Sequence, residues 1–433
     1  MFSHPGILML KVWAIAFFVL LFLPFTLTSR EIYWDGVGVL ICFLLAFCLG
    51  SITKTYPRKK MLANKGVIDL SFRKADFLLM TLGLISIGVF TIDIIQSGSL
   101  SLSVAYESRS DQAQALLHGE MSNSSIWFKI GFLTYPSCFI YIVRELVFKS
   151  KLKVSRIILF GALPGILAAV AMGGRSALFN VIAFLFIAYA VRQRLNFTHK
   201  QTDFMNKPEL SLFSKVLLVI GIVAAVFYAI NIFVERANAQ GGLDVMFDVV
   251  DGLWGVTFSG PGFEVAANIF GFAPLFIIFV VVWYFIQGLI MSSTIMANYD
   301  GSMLLGVYGI DLASALARRF EPESTAKNFN YLLDMDTYGF FPSAFGSLYI
   351  DFSYGGILIT FLWGAFTGMV YGRFRQGVDP RWRLIMPFTI FGIFLSLINT
   401  PLGFSNGFVT YVWLFVVFML IKKSKLNRSH EQA

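Results

Sequence analysis

The chain has 433 residues, of which 57% are hydrophobic and 14% are charged. A soluble domain carries about 25% charged residues, so this composition excludes an ordinary soluble protein. The net charge of +9 does not indicate a nucleic-acid partner. The basic residues cluster in short loops between apolar runs, as the positive-inside rule describes. Many uncharged runs reach the roughly 20 residues that a membrane-spanning helix needs, so the sequence predicts an all-α polytopic membrane protein.

Apolar runs in the first half of the chain predict seven membrane helices. Backbone groups in lipid must satisfy their own hydrogen bonds, and runs of this length do so as helices. The predicted ranges are about 7–28, 36–53, 75–95, 126–147, 157–172, 176–191 and 212–233. The loop 54–74 is strongly basic, which predicts that this loop and the N-terminus are cytoplasmic.

Arg175 lies in the turn between the fifth and sixth predicted helices, directly after Gly173 and Gly174. Glycine tolerates the backbone angles of a tight turn. The alternation of crossings makes this turn external, where the positive-inside rule does not place basic residues. A guanidinium is planar, permanently charged and suited to bidentate phosphate binding. The alternative is a snorkelling arginine that anchors a helix end.

A second arginine, Arg236, stands at the external end of the next predicted helix, beside Glu235. Two arginines at adjoining external helix ends depart from the expected charge distribution of membrane loops. We therefore expect this face of the protein to bind an anion.

The segment 244–300 is harder to assign. Residues 265–299 carry no charge, and about 267–290 are expected to form a membrane helix. A single crossing there would leave the basic end of the next helix, about 343–371, outside the cell. We therefore predict a broken or re-entrant pair within 244–300, with 302–317 as the other candidate for a second crossing. Irregular backbone at membrane depth is tolerated only where it is buried in protein or lines a cavity.

The stretch 291–342 is predicted to be the largest external loop. Within it, Asp311–Phe320 has the residue spacing of a short amphipathic helix that lies on the membrane surface. Arg318 and Arg319 of this helix are candidate substrate-binding residues, and the alternative is a solvated helix face. Arg109, in an earlier polar external loop, is a further candidate substrate contact.

The last part of the chain predicts three more membrane helices, at about 343–371, 384–400 and 404–421. Small residues recur every four positions in the first of them, which favours close helix packing. These residues are Gly364, Gly368 and Gly372. Residues 1–433 therefore form a single integral-membrane domain, a bundle of about 10–12 transmembrane helices with a cytoplasmic C-terminus.

Motifs of soluble enzymes are weak or absent. GFSNG at 403–407 matches G-x-S-x-G, but that motif needs a preceding strand and His and Asp partners, and here it joins two membrane helices. The four histidines lie far apart, and neither HExxH nor CxxC occurs, so we expect no metal site. No nucleotide-binding loop is present, and we expect no cofactor.

The order of four features resembles the bacterial O-antigen polymerase family, the integral-membrane polymerases of oligosaccharide repeat units. The features are GGRSALF at 173–179, Arg236 after the next helix, WYFIQGLIMSSTIMANYDG at 283–301 and FPSAFGSLYIDFSYGG at 341–356. The resemblance covers most of the chain and implies a GT-C-like bundle. Arg175 and Arg236 match the position of the family's pyrophosphate-contacting arginines. In the last block, Tyr349 is a candidate substrate contact.

The resemblance implies a metal- and nucleotide-independent glycosyltransferase in the bacterial inner membrane. It would join undecaprenyl-pyrophosphate-linked oligosaccharide units into surface polysaccharide on the external face. The arginines would stabilise the leaving pyrophosphate, and Asp351 or Glu235 is the candidate base for the acceptor hydroxyl. For Asp351 the alternative is a capping or salt-bridging acid near a helix start.

Lipid-linked glycans and membrane lipid are the implied partners, and a chain-length regulator is a candidate protein partner. Two other functions remain open: an O-antigen ligase-type transferase, and a flippase or transporter of the same lipid-linked sugar. Transporters typically show broken helices at corresponding places in two halves.

Overall fold

The structure is a computed structural model that describes most of the chain. The described residues are 3–22, 25–27, 31–53, 68–98, 114–115, 117–120, 124–149, 152–198, 255–258, 261–337, 339–377 and 379–425, with isolated positions between 230 and 252. The helices are α1 (Pro5–Phe22), α2 (Trp34–Thr53), α3 (Arg73–Ser97), α4 (Ile126–Thr134), α5 (Ser137–Phe148), α6 (Val154–Ala171), α7 (Ser176–Thr198), α8 (Pro261–Phe270), α9 (Phe272–Asn298), α10 (Asp311–Phe320), α11 (Pro322–Asp334), α12 (Ser343–Phe352), α13 (Gly355–Gln376), α14 (Trp382–Leu395) and α15 (Gly407–Leu420). The strands are β1 (Phe25–Leu27), β2 (Ile68–Ser71), β3 (Val256–Phe258) and β4 (Lys422–Lys425).

Eight helical segments of the described chain are long and apolar enough to cross a membrane, and α14 and α15 are shorter apolar helices. The eight are α1, α2, α3, the pair α4–α5, α6, α7, α9 and α13. The prediction of an all-α polytopic membrane protein is therefore confirmed. These ten apolar segments reach the lower end of the predicted 10–12, and the predicted helix 212–233 lies outside the described residues.

Two short antiparallel strand pairs connect segments that are far apart in sequence. β2, from the basic loop after α2, pairs with β4 at the end of α15. β1, between α1 and α2, pairs with β3. Each pair places its two segments at one end of the bundle. For β2 and β4 this agrees with the prediction that both lie on one side of the membrane, and the cytoplasmic assignment of that side stays a prediction.

Helices α2 and α13 pack side by side through glycines, as the four-residue spacing predicted. A Cβ atom at Gly364 would lie 2.1 Å from the carbonyl oxygen of Phe47, and one at Gly368 would lie 2.1 Å from that of Ser51. From the other helix, a Cβ at Gly50 would lie 2.0 Å from the carbonyl oxygen of Phe361. Since no side chain fits in these places, the backbones touch, which is how small residues hold membrane helices together.

The ranges of two predicted helices are wrong, and a third, at 126–147, is found as the crossing segment Ile126–Phe148 with a break inside it. The helix predicted at 343–371 is two helices, α12 and α13, because the chain turns at Ser353, whose φ is +49°. The helix predicted at 126–147 is interrupted between α4 and α5 at Pro136, which lacks the N–H that a continuous helix requires. The helix predicted at 267–290 is α9, which begins and ends later.

The chain breaks at Gly271, with φ of +81°, between α8 and α9. This break lies inside the segment for which a broken pair was predicted. α8 has ten residues, or about 15 Å, too short to cross a hydrocarbon core of about 30 Å. α9 continues to Asn298, so the predicted external loop 291–342 begins too early: residues 291–298 are the last two turns of a helix, and Met291 and Ile295 are buried.

Candidate functional site

Arg175 lies in the predicted turn between two apolar helices. Gly173 has a φ of +54°, a conformation that favours glycine, and α7 begins at Ser176. The carbonyl of Arg175 accepts the N–H of Phe179 at 2.8 Å, so Arg175 caps the N-terminus of α7. The first N–H groups of a helix and its dipole attract anions. The arginine and the helix end therefore add two positive features at one place.

The side chain of Arg175 is held by Tyr284 of α9. Its guanidinium donates a hydrogen bond of 3.0 Å to the Tyr284 hydroxyl, and its central carbon lies 5.5 Å from the centre of the tyrosine ring. A phenol hydroxyl orients a guanidinium without neutralising its charge. The contact therefore fixes the direction of the fork and leaves it cationic.

Tyr284 lies near the middle of the apolar helix α9. Ser293, nine residues later on α9, lies at the start of α2, where its carbonyl oxygen would be 1.9 Å from a Cβ at Gly36. Nine residues correspond to roughly 13 Å along an α-helix. The side chain of Arg175 therefore reaches α9 well before the segment of α9 that packs against α2. The predicted position of Arg175 at the membrane surface stays a prediction.

Aromatic rings from four elements form a chain of contacts that includes Tyr284, the partner of Arg175. Phe341, just before α12, lies 5.4 Å from the Tyr284 ring and 6.5 Å from Phe404. Phe404 in turn lies 6.1 Å from Phe179 of α7. Segments separated by more than 200 residues therefore meet in one aromatic cluster beside Tyr284.

The turn between α14 and α15, residues 396–406, joins this aromatic cluster to the loop after α9. The hydroxyl of Thr400 donates to the carbonyl of Gly309 at 3.1 Å, and the backbone N–H of Asn406 donates to the carboxylate of Asp311 at 3.1 Å. The G-x-S-x-G match lies in this turn. Its Gly403 packs against the Gly309 carbonyl, 2.2 Å from where a Cβ would be, so the motif serves backbone packing.

Asp351 binds the backbone of the same loop. Its two carboxylate oxygens accept the backbone N–H groups of Tyr308 at 3.0 Å and Gly309 at 2.8 Å. The residue is 1% exposed. Burial raises the pKa of the Asp351 carboxyl to about 6, against the opposing effect of the backbone hydrogen bonds. These two hydrogen bonds are of the kind that the capping alternative requires, and the role of Asp351 as a base stays a prediction.

Tyr349, two residues earlier in α12, is also in the interior. It is 6% exposed, and its ring lies 5.5 Å from Tyr354 and 6.5 Å from Phe43. In this arrangement it packs α12 against α2, and the predicted contact with substrate stays a prediction.

The remaining candidates fall into two groups. Arg318 and Arg319 lie in the last turn of α10, where Arg319 is exposed and Arg318 half-buried. The predicted helix at 311–320 is confirmed by α10, which has those bounds. Arg109, Arg236 and Glu235 lie outside the described residues.

Sequence reasoning missed Tyr284 as a partner of Arg175, and it missed a buried ion cluster. Arg144 of α5 is 2% exposed and donates to Asp76 of α3 and, at 2.7 Å, to the adjacent Glu145. The feature of the sequence that could have revealed this cluster is an Arg–Glu pair inside an apolar run. Removing one partner of a buried pair leaves an uncompensated charge, so we assign this cluster to helix packing.

No group of three His, Cys, Asp or Glu side chains that could hold a metal ion occurs in the described part of the chain. No protein-family model, curated protein or solved structure matches the chain significantly.

Proposed function

We propose that the protein is a polymerase of undecaprenyl-pyrophosphate-linked oligosaccharide units, a GT-C-like glycosyltransferase that acts at the external membrane face. The observation that carries the proposal is Arg175, a half-buried cation at the N-terminus of α7 that Tyr284 orients. The pyrophosphate of a membrane lipid is an anion that a guanidinium at the end of an apolar helix can bind. The resemblance of the blocks at 173–179, 283–301 and 341–356 to the O-antigen polymerases supports the same proposal, because those blocks supply Arg175, Tyr284 and Phe341.

In the proposed reaction, the donor is a growing glycan on lipid pyrophosphate, and the acceptor is a sugar hydroxyl of a new lipid-linked unit. The acceptor oxygen forms a bond to the anomeric carbon of the donor, and the bond from that carbon to the pyrophosphate oxygen breaks. The hydroxyl proton passes to a base or to water. The donor is already activated, so no nucleotide sugar is needed.

Arg175 would stabilise the charge that develops on the leaving pyrophosphate. Positive groups fixed where charge develops are typically the largest single contribution to catalysis. A guanidinium also contacts two phosphate oxygens in one plane, which a lysine cannot do. Asp351 and Glu235 stay the candidate bases, and each oxygen of Asp351 already accepts one backbone N–H.

The test is reconstitution. Purified protein in lipid vesicles is mixed with a lipid-linked repeat unit, and the products are separated on a gel. A ladder of increasing length is the expected result. Movement of the unit across the bilayer without a ladder would instead identify a flippase. Transfer of glycan to lipid A core without a ladder would identify a ligase, and either outcome contradicts the proposal.

A further inference from the structure

Helix α10 differs from its neighbour α11 in how it is covered by protein. None of the ten residues of α10 is buried, and Phe320 is 78% exposed and Leu316 51% exposed. In α11, by contrast, Phe329 and Leu332 are buried. The two helices are adjacent in the chain. They differ in whether other parts of the protein cover their apolar side chains.

The large apolar residues of α10 form one face, and two of them, Leu316 and Phe320, are exposed. At 100° per residue, the side chains of Leu312, Leu316 and Phe320 lie four residues apart and fall on the same side. Ala313 and Ala317 extend that face. The opposite side holds, in chain order, Asp311, Ser314, Ala315 and Arg318, with Arg319 at its flank. An apolar face beside basic residues is the pattern of a helix that lies in a membrane interface.

The start of α10 is fixed at the end of the bundle. Asp311 accepts the N–H of Asn406, and the preceding Gly309 accepts the hydroxyl of Thr400. Both partners belong to the turn that joins the apolar helices α14 and α15. A helix that begins beside a turn between two apolar helices lies within reach of the lipid headgroups and the upper acyl chains.

We propose that α10 binds the bilayer itself, with Leu316 and Phe320 inserted among the acyl chains. The exposed Arg319, at the flank of the helix, complements the negative phosphates of the headgroups. Phe and Leu are typical of the apolar face of such interfacial helices, and Phe320 occupies the end of that face. This surface interaction is independent of the function proposed for Arg175.

Nitroxide spin labels measure the depth of each face. In a background without Cys42, Cys48 and Cys138, single cysteines replace Leu316 or Phe320 on the apolar face. Ala315→Cys on the opposite face of α10 is the matched control, and Glu323→Cys on α11 is a second one, since both residues are exposed. Each labelled full-length protein is placed in vesicles of phosphatidylethanolamine and phosphatidylglycerol. Accessibility to oxygen, which concentrates in lipid, is compared with accessibility to a water-soluble nickel complex.

The expected result is a several-fold higher ratio of oxygen to nickel accessibility at 316 and 320 than at 315 and 323. Equal ratios at all four positions would place α10 in water and overturn the proposal. Low accessibility to both reagents at 316 and 320 would show that protein, such as a second copy of the chain, covers the face, and this too overturns it. Either substitution alone leaves the other apolar anchor in place.

Discussion

Two arginine–tyrosine pairs in the molecule share one geometry and differ in setting. The guanidinium carbon of Arg175 lies 5.5 Å from the ring centre of Tyr284, and that of Arg375 lies 5.5 Å from the ring centre of Tyr371. Arg375 is exposed in the last turn of α13. Arg175 is half-buried and caps the first turn of α7.

The helix dipole explains why the two settings are not equivalent. A cation in the last turn of a helix is stabilised, and one at the first turn is penalised, each typically by about 0.3–1 kcal/mol. Arg375 therefore lies where a helix favours it, and it needs no ligand to account for its position. Arg175 lies where a helix disfavours it, and under the proposed function a lipid pyrophosphate that binds there would offset that cost.

We expect the two pairs to lie at opposite sides of the membrane, and this is the largest expected difference between them. We expect Lys327→Cys, on α11, to react with an impermeant thiol reagent added to intact cells, and Lys422→Cys, on β4 at the Arg375 end, not to react. Both native lysines are exposed. After the cells are opened, both variants should react, which controls for accessibility. Labelling of Lys422→Cys in intact cells would reverse the orientation and contradict an external site.

Removal of each arginine tests whether only one pair serves the reaction. We expect Arg175→Ala to lower polymer formation by about 100- to 1000-fold, the typical effect of losing a group that stabilises transition-state charge. Arg375→Ala should stay close to wild type. Polymer per unit of inserted protein is measured on a gel. A similar loss in both variants would mean that the Arg–Tyr contact is structural in both places.

Replacement of each arginine by lysine keeps the positive charge and removes the planar guanidinium. Arg175→Lys loses a charge-assisted contact worth about 1.5–3 kcal/mol, which corresponds to roughly 10- to 100-fold in rate. Arg375→Lys should be unaffected, because an exposed anchor needs only the charge. If Arg175→Lys, at normal expression, formed as much polymer as the wild type, Arg175 would only anchor the helix end.

The smallest expected effect concerns the tyrosine hydroxyl. Tyr284→Phe keeps the ring under Arg175 and removes a hydrogen bond whose net worth is about 0.5–1.5 kcal/mol, so we expect a rate lower by roughly 2- to 10-fold. Tyr371→Phe is the matched control and should retain full activity. An unchanged rate in Tyr284→Phe would show that the ring alone positions the guanidinium.

The sequence determined the features that depend on local composition. Uncharged runs of about 20 residues specify membrane helices wherever they occur, so the spans and the Gly173–Gly174 turn were predictable. The bounds of α10 followed from its helical spacing. The four-residue repeat of small residues likewise predicted the contact between α13 and another helix.

Only the tertiary structure decided the partners of the site residues. Tyr284 meets Arg175 from 109 positions away, and Asp351 meets the N–H of Gly309 from 42 positions away. Hydropathy says that a segment is in the membrane and not which segment it packs against, since lipid is as apolar as the side chains that face it. For the same reason, a carboxylate that holds a loop and one that binds substrate look alike until the atoms that contact it are placed.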